Sequence, residues 1–218
     1  MKSLFVFAFA AIGAITQAQV ADVTADFGAG ATNPNGNWTY GYFATAFSDP
    51  FTPYTVNLAD ANDIVWRAPQ SAGQLGTPAA WLHLGAPVNG VGTGQFALHP
   101  GPSEISVARF TVPVAWGSGS AAITGSFGQG DIGSVGGHIL RNGVSLFSQP
   151  MNVTTPFSLS GIGLNAGDTI DFAVDNLDGF SFDSTPLDAH IEFASVPEPT
   201  SLAVLGLGMI ALIRRRKA

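Results

Sequence analysis

Apolar residues in the middle of this chain recur at every second position, and no long stretch between residues 20 and 195 carries helical spacing. Ile170, Phe172 and Val174 alternate with Thr169, Asp171 and Asp175, and Ala189, Ile191 and Phe193 alternate with Asp188, His190 and Glu192. Each pattern predicts a strand with one face turned to a core. Asn142-Gly143 separates the runs 137–141 and 144–147 and predicts a hairpin, because a type I′ turn needs positive φ at both of its central residues. Residues 37–43, 103–113, 120–127 and 159–164 predict further strands. Residues 68–102 are less regular and predict long connections with one short strand. Short strands with a turn signal about every ten residues predict an all-β chain. The expected architecture is a single β-sandwich, a jelly roll in preference to an immunoglobulin-like one because its sheets leave few exposed edges.

The two ends break this pattern. Lys2, the apolar run from Leu4 to Ile15 and the small-x-small triplet Thr16-Gln17-Ala18 predict a secretory signal peptide over residues 1–18, cut by signal peptidase between Ala18 and Gln19. At the other end, Val196-Pro197-Glu198-Pro199 precedes an apolar stretch, Leu202 to Ile213, and then Arg214-Arg215-Arg216-Lys217. The prolines predict a stiff, non-helical spacer. Twelve apolar residues span roughly 18 Å as a helix against about 30 Å of hydrocarbon, too little for a permanent anchor. The cations would remain on the cytoplasmic side. This three-part layout resembles the PEP-CTERM sorting domain of bacterial exported proteins, with Val196, Pro197, Glu198 and Pro199 as the motif. The resemblance implies recognition and removal of the tail by exosortase, transient membrane insertion through residues 202–213, and delivery to the cell surface or extracellular matrix. Residues 19–195 are then the delivered ectodomain, and 196–218 the sorting signal.

Removing the ends changes the charge balance. Five of the eight lysines and arginines lie in them, leaving Arg67, Arg109 and Arg141. Fourteen of the fifteen acids remain, so residues 19–195 carry a net charge of −11. Such a domain repels nucleic acid, whose binding depends on cations that replace phosphate counterions. Neutral polymers and cations remain acceptable partners. The chain has no cysteine, which excludes disulfides and thiol chemistry.

A second series of motifs runs through the domain: Leu98-His99-Pro100-Gly101-Pro102, Arg109-Phe110-Thr111-Val112-Pro113, Arg141-Asn142-Gly143-Val144, and 166–174, with 33–42 as an opening. It resembles the jelly-roll modules of secreted bacterial proteins that often end in the same kind of tail. Those modules are similar to carbohydrate-binding domains, so the resemblance implies contact with extracellular polysaccharide.

Catalytic patterns are sparse. No serine has the flanking glycines of a nucleophile elbow, and Gly133-Ser134-Val135-Gly136 misses that spacing. His83, His99, His138 and His190 form no local zinc-ligand pair. Two other constellations carry chemistry. Trp38, Tyr40 and Tyr42 share one face of a strand and offer a platform for sugar rings, or else fill the core. Asp175, Asp178, Asp183 and Asp188, joined by Asp26 if the first and last strands pair, offer oxygen ligands for calcium, or else a solvated acidic loop. The expected function is an exported, non-catalytic component of the cell surface or matrix. A carbohydrate-binding module for neutral glycans is the alternative, and a glycan-acting hydrolase the third class.

Overall fold

A computed structural model describes residues 18–27, 32–69 and 76–195. The expectations for the signal segment before Ala18, for Val196, Pro197, Glu198 and Pro199, and for an apolar helix over 202–213 lie outside these residues. Among the described residues no helix is long and apolar enough to cross a membrane.

In chain order the elements are β1 (Gln19–Asp22), α1 (Val23–Asp26), β2 (Trp38–Phe43), β3 (Thr52–Pro53), β4 (Val56–Ala59), β5 (Asp63–Arg67), β6 (Ala79–His83) and β7 (Phe96–His99). They continue with β8 (Ile105–Thr111), a 3-10 turn at Val114–Trp116, β9 (Gly119–Phe127), β10 (Val135–Arg141), β11 (Val144–Met151), β12 (Thr155–Leu164), β13 (Thr169–Asn176) and β14 (Thr185–Ser195). One sheet has the order β12-β9-β14-β7-β6-β5-β4, with β1 paired to β14; the other runs β11-β10-β13-β8-β2-β3. From β8 to β14 the chain crosses between the sheets at every connection except the β10–β11 hairpin, the wrapping of a jelly roll. That hairpin turns at Asn142 (φ 50°) and Gly143 (φ 78°), the two positive values its sequence requires.

The region 68–102 differs from expectation by holding two strands, β6 and β7, where one was predicted. Both are short and buried on both faces, because Val65, Ala79, Trp81, Val91 and Ala97 form a separate apolar cluster away from the main core. A strand covered on both sides shows no alternation. β13 is covered in the same way by Phe43, Phe47, Phe51, Ile105, Val107 and Leu140, so Ala173 and Asp171 are buried together with Ile170, Phe172 and Val174.

The main core lies between the sheets and is aromatic. Trp38, Tyr40, Phe96, Phe110, Phe127, Phe172 and Phe193 are all fully buried. Trp38 and Tyr40 are 1% and 0% exposed, which corrects the expectation of a glycan platform on β2. The alternation marked the core face of the strand: Trp38 packs on Phe110 and Phe172, and Tyr40 on Phe27 and Phe96. Tyr42 is half-buried and stacked on Tyr54. A ring enclosed by protein has no free face for a sugar.

Candidate functional site

The five acids expected to hold calcium divide: Asp26 and Asp188 lie apart beside the first strand, while Asp175 and Asp178 are near enough to Asp183 for their charges to act on it. Asp26 Oδ2 accepts from the Asp22 amide and from Trp38 Nε1, beside the first strand. Asp188 lies 2.9 Å from His190 Nε2, whose Nδ1 is 2.9 Å from Asp22. Asp175 pairs at 3.3 Å with His138. β1 does pair with β14 as the calcium reading required, but α1 turns Asp26 toward Trp38. Among the described residues no three His, Asp or Glu side chains converge as a ready chelate. A calcium ion takes six to eight oxygens, so backbone carbonyls and water would have to complete its shell.

What remains is Asp183. Its carboxylate is buried (1% exposed), yet neither oxygen accepts a hydrogen bond. Buried polar groups are ordinarily paired, and an unpaired carboxylate is among the most unfavourable of exceptions. Burial pushes its pKa up to about 7, and the charges of Asp178, Asp131 and Asp175 add to the rise.

The local backbone explains how this acid is held in place. The loop 128–134 runs beside the entry to β14 and pairs with it: Gly128 N donates to Pro186 O (2.6 Å), Asp131 N to Ser184 O (3.2 Å) and Gly133 N to Phe182 O (2.9 Å). The approach is so close that a Cβ at Gly133 would overlap Asp183 Oδ1, and one at Gly130 the Ser184 carbonyl. Only glycine lets the two segments meet. Phe182 completes the arrangement with φ +68°, a left-handed conformation that is strained for an aromatic residue, and its side chain is 60% exposed.

Two cavities open here. The smaller, about 10 Å³, has room for one water-sized group and is lined by Asp131, Phe182, Asp183, Ser184 and the glycine-rich loop. The larger, about 200 Å³, is lined by Ala79, Trp81, Asn89, His99, Asp131, Phe182 and Ser184. Asp131, Phe182 and Ser184 belong to both. His99 Nδ1 lies 2.8 Å from the Pro100 carbonyl and so donates to it, which leaves Nε2 free of that bond. Burial lowers the His99 pKa, favouring the neutral ring.

By contrast, His83 uses both ring nitrogens structurally, toward Asp63 Oδ1 (2.8 Å) and the Ala86 carbonyl (2.6 Å), and joins β5 and β6 to the following loop. Asp178 and Asp183 were visible in the sequence as part of an acidic loop. Asp131, His99 and Phe182 come from three separate segments and carry no shared local motif. The available signal was the glycine spacing around Asp131, at 128, 130 and 133, in a run without strand alternation.

β14 leads from this site to Ser195, two residues before the Pro-Glu-Pro sequence at 197–199. Residues 195–217 match the PEP-CTERM protein-sorting motif. That sorting motif marks an exported bacterial protein processed by exosortase. No curated protein matches the chain. Among solved structures, it is similar to the CBM36-1 domain of a multidomain xylanase from the hindgut metagenome of Trinervitermes trinervoides, at 13% identity over 63% of this chain and 100% of that one, with a TM-score of 0.32. A family 35 carbohydrate binding module from Clostridium thermocellum is 15% identical over 65% of this chain and 98% of its own, with a TM-score of 0.31. A carbohydrate-binding module CBM36, in complex with calcium and xylotriose, is 14% identical over 50% and 87%, with a TM-score of 0.29.

Proposed function

We propose that this chain is a non-catalytic component of the cell surface or extracellular matrix that binds a glycan at the loop end between the 128–134 segment and β14. In this reading signal peptidase releases residues 1–18 and the β-sandwich of residues 19–195 is delivered. Residues 196–218 insert through 202–213 until exosortase processes them. The observation that carries the binding reading is Phe182: an exposed aromatic ring in a strained left-handed conformation, on the wall of a cavity with polar groups from Asn89, His99, Asp131 and Ser184. Strain of this kind clusters at ligand clamps, and an aromatic face with polar neighbours suits a sugar ring. A glycan array on the purified chain tests it. Binding to at least one glycan class that Phe182→Gly reduces tenfold or more is expected; a blank array removes the glycan reading.

Calcium at the same loop end is the second reading, favoured by the two unpartnered oxygens of Asp183 and by the charges of Asp178, Asp131 and Asp175 that act on it. Its test is the melting temperature during a calcium titration. A rise that Asp183→Asn abolishes supports the ion, and a flat titration at millimolar calcium removes it.

A further inference from the structure

The two cavities at the loop end share three lining residues but differ in chemistry. The larger has the scale of one sugar ring, being smaller than the roughly 300 Å³ at which drug-sized ligand pockets begin. The smaller admits a single small group and contains a buried carboxylate with both oxygens unpartnered. We propose, resting on the glycan reading above, that the ligand is an oligosaccharide bearing a free, protonated amino group: its ring lies against Phe182 and its ammonium enters the small cavity to meet Asp183.

Three features favour an ammonium over a bare metal ion. An ammonium has three N–H donors, enough for both Asp183 oxygens and one more acceptor such as Asp131 or a loop carbonyl. A divalent ion needs a fuller shell, and no third acid or histidine of the described residues joins those two as a chelate. The charge is also attached to a ring, and Phe182 provides an exposed aromatic surface where both cavities can be filled at once. The net charge of −11 over residues 19–195 draws a polyamine glycan toward the domain, while an acetylated or purely hydroxylated one gains nothing from it.

The experiment measures affinity of the full chain, in EDTA, for three tetrasaccharides of one β-1,4 backbone: glucosamine, N-acetylglucosamine and glucose. Tetralysine serves as a non-sugar polyamine. The glucosamine tetramer is expected to bind at least tenfold more tightly than the other three. Asp183→Asn is expected to reduce it to the level of the glucose tetramer without lowering the melting temperature. Equal affinity for the three sugars overturns the amine inference and leaves the glycan reading standing. So does an amine preference that survives Asp183→Asn, or sugar binding that appears only when calcium replaces EDTA. Tetralysine binding as tightly as glucosamine overturns it in favour of charge alone, and no binding to any sugar overturns both readings.

Discussion

Asp171 and Asp183 are both buried aspartates, and the protein treats them in opposite ways. Asp171 lies mid-strand in β13, opposite Arg109 of β8 in the sheet register. The guanidinium meets it with two hydrogen bonds, Nε to Oδ1 at 2.6 Å and Nη2 to Oδ2 at 2.9 Å, and is stacked 4.0 Å over the Phe51 ring. Asp183 lies just before β14, against a glycine loop that brings no partner to either oxygen. A carboxylate with a structural role is matched by its neighbours. One left bare costs stability, and that cost is what the proposed ligand would offset.

Breaking the matched pair should have the largest effect. Arg109→Leu leaves Asp171 buried and unpaired, and is expected to destabilise the fold by about 3–5 kcal/mol in urea unfolding. Changing Asp171 to Leu as well should recover most of that loss, because the penalty belongs to the abandoned charge.

For Asp183 the sign reverses. Its folded pKa of about 7 lies above the ordinary value near 3.9, so the folded chain keeps a proton through a range where the unfolded chain has released it. The resulting stability is complete below about pH 4 and is lost as pH rises through 7. Asp183→Asn removes that dependence. At pH 8 the variant should be more stable than wild type by about 1–2 kcal/mol, with the gap closing toward pH 4. A variant weaker than wild type at pH 8 would mean that Asp183 has an unrecognised structural partner.

Phe182→Gly should have the smallest effect on stability. It removes an exposed ring and relieves a left-handed residue, while glycine adds chain entropy to the unfolded state, so unfolding should shift by less than about 1 kcal/mol. Glycan binding is expected to fall while the fold is unchanged, separating the ligand role of Phe182 from a packing role.

The same contrast explains what could be read in advance. The Asn142-Gly143 hairpin and the alternation in β13 and β14 are local, and they appear where the pattern predicts them. β6 and β7 were partly hidden because double coverage erased the period-two signal. Trp38, Tyr40 and Tyr42 were legible as one face of a strand but not as its inner face, since alternation alone does not distinguish the two sides of a sandwich. The loop site is non-local. Its residues come from positions 79 to 99, the loop 128–133 and 182 to 184, and only the crossing of the chain between sheets brings them together. Asp178 and Asp183 were visible as acids; that Asp183 would be bare depended on a glycine loop some fifty residues earlier.

The placement of β14 has a consequence for reach. The strand starts beside the cavities at Thr185 and runs for eleven residues to Ser195, where the sorting-motif match starts. At about 3.3 Å per residue, it separates the two by roughly 35 Å. β1 runs alongside its far half, with Gln19 opposite Phe193, so Gln19 and Ser195 both lie at the end away from the cavities. The loop end and the start of the sorting-motif match thus lie at opposite ends of a single strand.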